Sequence, residues 1–573
     1  MEKKKIVDFI DALGMEGLLV SVGGITPCKA IMSLYTDAEG AKIGAREVRG
    51  VTYNSKEVKE GFLFVAKGAH FKEQYLEDAI AKGAVCFVRE DASGTPVTDC
   101  SIPGAGGGTG SAEGETAGEA ASMPEAASEG IGNAPEKGDE SAAVGTVLKD
   151  DGCLSIYVSD IRKAMPAIAE TFYGKLSDEL KIVGITGTKG KSTTSYFMRY
   201  IIDDWMEASG GRRSAICSGI DNYDGVIEEE SHLTTPEIME LYQHMNNALS
   251  NGISHMTMEV SSQALKYDRV TGVEFEAGAF LNIGSDHISP IEHPDFEDYL
   301  ASKLRIFGHC RKACYCLESD ALDKIEAASA DCPYVITFSQ KDERANVFGY
   351  DIRSKEGHVS FRASGKGIEG YADFDEEFTL GTFGTINVEN ALAAISLSAL
   401  LGVPMDSIKR GLSVARSPGR MEVFYSGDKK RIAIVDYAHN TLSYEKFFET
   451  IKDEFPGKKV MIVFGCPGGK AFARREELGT IAGRNCSYSI ITEEDYGEED
   501  VNKICSEIAE HVEAAGGKCE IITDRVEAIK KAISLMDDDT MLFLPGKGRE
   551  TREKRGNAYI DTPSDAAVVE KYL

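Results

Sequence analysis

Positive charge is what this chain is short of. Its 63 lysines and arginines face 93 aspartates and glutamates, a formal net charge of -30. Such an acidic chain is excluded as a general nucleic-acid binder, because nothing would neutralise the phosphate backbone. An anionic small substrate would have to be held by local basic residues or Mg²⁺ against an unfavourable overall field. Long apolar runs are missing too. None approaches the roughly 20 residues of a membrane span, and the lysine-rich start, Met1 to Asp11, meets acids before an apolar core develops, so it is not a secretory signal. The densest cysteine group, Cys310, Cys314 and Cys316, lacks paired C-x-x-C spacing. It reads as a buried strand using cysteine as a small hydrophobe rather than as a zinc site. The thirteen cysteines are expected to be reduced, mostly buried thiols. A cytoplasmic monomer without membrane or nucleic-acid partners is the expectation.

Residues 91–147 have almost no aromatic or branched side chains and are rich in Gly, Ala, Ser and Glu. Such a segment cannot bury enough surface to offset its ordering entropy, and is expected to be a disordered acidic insertion. It separates two apolar strands, 84–89 and 155–158, expected to belong to one N-terminal domain, residues 1–175, interrupted at a hairpin. From about Leu180 strands and helices alternate. Strands are predicted at 181–186, 255–260, 277–282, 313–317 and 334–338, which argues a parallel sheet covered on both faces. Residues 346–380 read as an antiparallel flap, and 387–401 as a helix, completing a central domain over 176–416. A second doubly wound unit, 417–573, has predicted strands at 460–465, 488–492, 519–523 and 541–544. Its polar loops Gly465 to Gly469, Glu493 to Asp495 and Pro545 to Gly548 follow strand ends, where ligands bind in open α/β sheets. The fold class is therefore α/β in three domains.

The most informative segment runs from Gly184 to Thr193. An apolar strand feeds a glycine-rich turn (Gly187, Thr188, Lys189, Gly190) that opens an amphipathic helix at Lys191, Ser192 and Thr193. Glycines let backbone N–H groups approach phosphates, the helix N-terminus favours negative charge, and lysine adds a compact cation. Ser192 is placed to hold a Mg²⁺ ion on the nucleotide. The loop is a shortened form, with Ile185 where the first glycine of G-x-x-x-x-G-K-[ST] would stand. Past the ends of two later strands come Glu259, in Met258 to Ser262, and then Asp286 and His287. Neighbouring parallel strands would bring Glu259 and His287 near Ser192, a set suited to a Mg²⁺ bound mainly through oxygens and water.

At this point the sequence resembles the Mur ligase family, and within it the MurE-like branch that adds the third amino acid of the peptidoglycan stem peptide. Residues Thr186 to Ser192 are similar to T-G-T-N-G-K-[ST], Leu233 to Glu237 to a T-T-P segment, and Met258 to Ser262 to M-E-V-S-S. Pro418 to Glu422, Asp436 to His439 and Gly546 to Glu550 are similar to P-G-R-M-E, D-Y-A-H and G-K-G-H-E, and Thr52 to Lys56 to T-x-D-S-R. The resemblance implies a UDP-binding N-terminal domain, a central ATPase domain and a Rossmann-like amino-acid-binding domain. It implies that ATP phosphorylates the carboxylate of UDP-N-acetylmuramoyl-L-alanyl-D-glutamate, and that a free amino acid then attacks the acyl phosphate. Catalysis of that kind is mostly orientation and charge neutralisation. It further implies that Gly187 to Thr193 hold the phosphates, with Lys191 on the transferring group, and that Ser192, Glu259, His287 and a CO₂-derived carbamate on Lys303 hold Mg²⁺. Asn390, Arg420 and Asp436 match nucleotide contacts made as the C-terminal domain closes. Thr234, Thr235, Ser261 and Arg269 match contacts to the UDP-sugar dipeptide, and Ser55 its uridine end.

Departures from the family pattern bear on the amine. Lys189 replaces an Asn, Gln263 a His and Arg549 a His. The D-N-P-R motif of diaminopimelate enzymes is here Glu494, Asp495, Tyr496 and Gly497. An acidic pair without that arginine suits a side-chain ammonium, which points to L-lysine ahead of ornithine or another diamine. Arg475 is expected on the substrate α-carboxylate, with Glu494, Gly546 and Glu550 near amino groups. Two other readings compete: a related ligase extending a different acidic peptide, such as a folate, and a nucleotide-binding regulator without turnover.

Overall fold

The computed structural model describes residues 3–36, 38–68, 71–91, 152–284, 288, 292–355 and 358–573. The acidic stretch after Asp91, and with it the expected disorder, lies outside them. They fall into two compact units, Met1–Gly174 and Lys175–Leu573.

In the first unit a five-stranded sheet runs in the order Leu19–Val22, Leu154–Val158, Cys86–Glu90, Phe62–Ala66, Gly50–Thr52. The two strands flanking the insertion are neighbours, as expected, but Cys86 to Glu90 pair in parallel with Leu154 to Val158. That overturns the hairpin, because two parallel strands cannot be joined by a tight turn. Alternate strand residues face the core, where Leu63, Val65, Val88 and Ile156 are fully buried. Helices Ile6–Met15 and Ile161–Tyr173 bury apolar stripes in the same unit, and Asp160 caps the latter by accepting from the Arg162 and Lys163 N–H groups.

The second unit holds two large sheets. All five predicted central strands form and pair in parallel, with the phosphate-loop strand Lys181–Thr186 between His255–Glu259 and Ala277–Phe280. The flap is antiparallel as expected, but it is no separate layer. Val347–Lys355 pairs in parallel with Tyr334–Ser339, so the flap extends the central sheet to eleven strands. Helix Asn387–Leu401 has the predicted bounds and is apolar nearly all round, so it sinks into the core. Val388, Ala391 and Leu392 share one cluster there with Val183, Ala279, Cys314 and Phe338.

The other sheet has six strands, in the order Glu422–Tyr425, Ile432–Val435, Thr540–Leu544, Lys459–Phe464, Tyr488–Ile491, Cys519–Ile521. All pairings are parallel except that of the first edge strand. The four predicted strands are present, and two at the near edge went unread. Among the described residues eleven cysteines are free and nine of these are buried, including Cys310, Cys314 and Cys316 as the sequence suggested. Cys28 is disulfide-bonded, so the expectation of reduced thiols does not hold there. No helix among the described residues is long and apolar enough to cross a membrane.

Candidate active site

The phosphate loop is built by its glycines. Gly190 caps helix Lys191–Ala208 in the left-handed region (φ 87°), and a Cβ there would collide with the Asn390 side-chain oxygen. The Asn282 side chain accepts from the Lys189 N–H (2.9 Å), pinning the turn. Beneath the loop two ammonium groups converge on one oxygen. Lys191 Nζ donates to the Gly187 carbonyl (3.0 Å), and so does Lys303 Nζ (2.9 Å). Lys303 is only 2% exposed and lies 4.9 Å from the Tyr299 ring centre, while the Tyr299 hydroxyl is 3.1 Å from Thr188 Oγ1.

Glu259, 1% exposed, accepts from the Gly219 N–H (2.8 Å). Its backbone carbonyl accepts from the Thr235 hydroxyl (2.9 Å), which also bonds the Ser261 hydroxyl (3.3 Å). Arg269 pairs with Glu237 (3.0 Å) beside the same segment. The T-T-P and M-E-V-S-S segments are therefore one hydrogen-bonded unit at the end of strand His255–Glu259.

A cavity of about 450 Å³ joins these groups to the second sheet. Thr188 to Thr193, Thr234, Glu259 and Asn390 line one side, and Arg420, Asp436 and Tyr437 the other. Asp436 braces the latter wall by accepting from the Met421 (2.6 Å) and Ala438 (2.8 Å) N–H groups; loss of solvent holds its carboxyl above the usual range. Helix Thr441–Glu454, capped by Asn440, points Ser443, Lys446, Phe447 and Thr450 into the cavity at i, i+3, i+4 and i+7 spacing. Sequence reasoning missed this face. The cap Asn440 directly after Asp436 to His439 was the available signal.

The three polar strand-end loops of the second sheet do meet. Gly465 abuts Glu494, and a Cβ on Gly546 (φ 106°) would run into the Glu494 carboxylate. Desolvation pushes Glu494 up to about 8, while Arg525 and Lys547 pull it down and Glu553 and Asp495 add to the rise. Lys547 anchors the acids around it, 2.8 Å from Glu550, 3.1 Å from Asp495 and 3.6 Å from Glu553. Arg525 pairs with Asp565 (2.6 Å) and donates to the Pro545 carbonyl (2.8 Å). A second cavity, about 410 Å³, is lined by Asp495, Lys547 and Glu550 and, from the central sheet, by Gly219, Glu230 and His232.

Other foreseen residues have partners of their own. Arg475, 3% exposed, is committed to Glu499 (3.0 and 2.7 Å) and Glu507 (2.6 Å), and that pairing holds Glu499 down to about 2. Ser55 belongs to the first compact unit, where Lys82 donates to its carbonyl (2.7 Å). Asp286 and His287 lie outside the described residues. Among those described, no group of three or more His, Cys, Asp or Glu could hold a metal ion.

Comparison with known proteins places this geometry. Residues 185–398 match the model of the Mur ligase middle domain, and 419–548 that of the Mur ligase glutamate ligase domain. A UDP-N-acetylmuramoyl-L-alanyl-D-glutamate--L-lysine ligase of Enterococcus faecalis is 31% identical over 538 residues, 93% of this chain and 92% of the relative. The chain belongs to the Mur ligase family. A UDP-N-acetylmuramyl-tripeptide synthetase of Bifidobacterium longum is 32% identical, over 91% of each chain. Among solved Mur ligase structures, a UDP-N-acetylmuramoyl-L-alanyl-D-glutamate--2,6-diaminopimelate ligase shares the fold at TM-score 0.57 and 20% identity, over 95% of this chain and 98% of that one. The MurF ligase of Thermotoga maritima in complex with ADP does so at TM-score 0.53 and 16% identity, over 92% and 96%. As a Mur ligase the chain is an ATP-dependent amino-acid ligase, as the resemblance implied.

Proposed function

We propose that the chain joins L-lysine to UDP-N-acetylmuramoyl-L-alanyl-D-glutamate, with ATP converted to ADP and phosphate, in peptidoglycan precursor synthesis. The observation that carries this reading is the meeting of the two cavities. Gly219, Arg420 and Tyr437 line both the phosphate-loop cavity and the charged one, so a phosphoryl donor and an amine can reach a common wall. The relatives named as L-lysine ligases support the choice of amine, and so do Glu494 and Asp495 at a strand end with no arginine beside them in sequence.

The chain's own groups divide the work. Loop amides and Lys191 orient the triphosphate, and Thr234, Thr235, Ser261 and Arg269 orient the dipeptide carboxylate. Closure of the wall formed by Arg420 and Asp436 excludes water that would hydrolyse an acyl phosphate. Ser192 and Glu259 offer hard oxygen donors, which fit a Mg²⁺ carried in on phosphates and completed by water; when bound, the ion neutralises phosphate charge. Lys303, buried under the loop, is the amine proposed to carry the carbamate, with His287 as a further ligand. Residues 1–175, with Ser55, are proposed to bind the uridine end, and residues 417–573 the amino acid.

Phosphate release tests the reading, using purified protein, ATP, Mg²⁺ and the UDP-dipeptide with L-lysine, L-ornithine or meso-diaminopimelate. L-lysine is expected to give the highest kcat/KM. A preference for diaminopimelate would reject the amine assignment, and release independent of the UDP compound would reject the acceptor.

A further inference from the structure

Two helices of the central domain are joined by one buried imidazole. The first is the short helix Ser262–Lys266, which opens just after Glu259 and Ser261; Ser261 caps it by accepting from the Ala264 N–H (3.1 Å). The second is helix Phe296–Leu304, which carries Tyr299 and Lys303. His293 is fully buried between them. Its Nε2 lies 2.9 Å from Ser262 Oγ on the first helix, and its Nδ1 lies 2.6 Å from Asp298 Oδ2 on the second. The same Asp298 oxygen accepts from Lys266 Nζ (2.6 Å), so the bridge closes back on the first helix. The imidazole also stands edge-on to the Tyr299 ring, 5.2 Å between centres.

The roles of the two ring nitrogens follow from their partners. The Lys266 ammonium, and after it His293, hold the Asp298 carboxyl below its usual range, so that it only accepts. Nδ1 therefore carries a proton, and Nε2 is left to the Ser262 hydroxyl. Hydrogen bonds to an ionised partner are the strong ones, and a ring held at both nitrogens can neither turn nor slide. Glu292, the residue before, is tied to the same first helix. Its backbone carbonyl accepts from Lys266 Nζ (3.3 Å) and its carboxylate from Gln263 Nε2 (3.5 Å). The phosphate loop has a pin of its own in the Asn282 side chain.

We propose that His293 is a positioning residue, a strut that sets the spacing between the acceptor-binding segment at Ser261 and the helix that carries Lys303. This rests on the amide-ligase reading above, in which Ser261 orients the dipeptide and Lys303 serves the phosphate end. The acceptor carboxylate has to meet the transferring phosphoryl group, and a misplacement of about 1 Å in such a pair costs on the order of 10²-fold in rate. His293 lines neither cavity. It acts through Ser262, whose backbone continues that of Ser261, and through Asp298, on the same helix as Lys303. Cutting either end frees one segment from the other without removing a group that lines the nucleotide cavity.

Half-replacements test the strut in the full-length protein with ATP, Mg²⁺, L-lysine and the UDP-dipeptide. Asparagine places an amide nitrogen near the Nδ1 position and keeps the Asp298 end, whereas glutamine reaches the Nε2 position and keeps the Ser262 end. His293→Asn and His293→Gln are each expected to lower kcat/KM for the UDP-dipeptide by about 10- to 100-fold. KM for ATP should change by less than about twofold. Ser262→Ala removes only a hydroxyl, so it serves even if the ring replacements do not fold, and should lower the same kcat/KM by about tenfold. Because His293→Asn has already cut the Ser262 end, adding Ser262→Ala to it should cost little more, giving a non-additive cycle. A lower melting temperature with kcat/KM for the UDP-dipeptide unchanged, equal rises in both KM values, or additive losses in the cycle would overturn the proposal. If the wild-type protein released no phosphate in response to the UDP-dipeptide, the ligase reading itself would fail, which is a different result.

Discussion

Glu494 makes the amine assignment testable by pH alone. Its carboxyl is wedged against Gly546 and its ordinary value of 4.5 is pushed up to about 8 by desolvation, despite the cations of Arg525 and Lys547. At pH 7 only about a tenth of the molecules carry the ionised form. If Glu494 receives the side-chain ammonium of L-lysine, ionising it costs about 1.4 kcal/mol at pH 7 and about twice that at pH 6. KM for L-lysine is therefore expected to rise roughly tenfold for each pH unit below 8 and to level off above it. Removing the charge should flatten the profile: Glu494→Gln is expected to bind L-lysine weakly and equally at all pH values, about 10- to 100-fold worse than wild type at pH 8. The sign for stability runs the opposite way. A raised acid favours the folded state most below the ordinary carboxylate range, and that advantage is lost as pH rises through about 8. Glu494→Gln should thus gain thermal stability relative to wild type as pH increases. Initial-rate phosphate release at saturating ATP and UDP-dipeptide, from pH 6 to 9, measures the first effect. A wild-type KM that varies less than about twofold over that range, or a glutamine variant with an undiminished slope, would refute the assignment.

Two further expectations separate structural from substrate roles. Lys303→Ala should lose most activity and regain part of it with added short carboxylates; full activity without rescue would remove the carbamate. Arg475→Ala should destabilise the protein by about 1–3 kcal/mol, because Glu499 and Glu507 lose their close cation and keep only the more distant Lys503. A raised KM for the amino acid with an unchanged melting temperature would instead restore the α-carboxylate role.

The sequence announced what is local. The phosphate loop was legible because an apolar strand, a glycine turn and a helix start lie within about a dozen residues, and helix Asn387–Leu401 because its apolar run is bounded by polar loops. Pairing was not local. Nothing between Glu90 and Leu154 encodes whether those strands run parallel, since parallel partners need no turn signal of their own. Strand Ile432–Val435 has four buried apolar residues and yet went unread. The ion pairs of Arg475 were illegible for a related reason: its acids lie 24 and 32 positions downstream, and only the packing of helix Ala473–Asn485 on Val501–Ala514 brings them together. Tyr437 and Lys446 were hidden because their use depends on where a second sheet stands.

The carbonyl of Gly187 already receives the two lysines nearest the loop. An arriving triphosphate therefore finds these cations pre-oriented, their long side chains ordered during folding rather than at the encounter. Lys191 can trade a backbone oxygen for a phosphoryl oxygen with little further loss of freedom. Once it does, the hydrogen bond from Lys303 remains, beside those to Asn282, to hold the turn in shape.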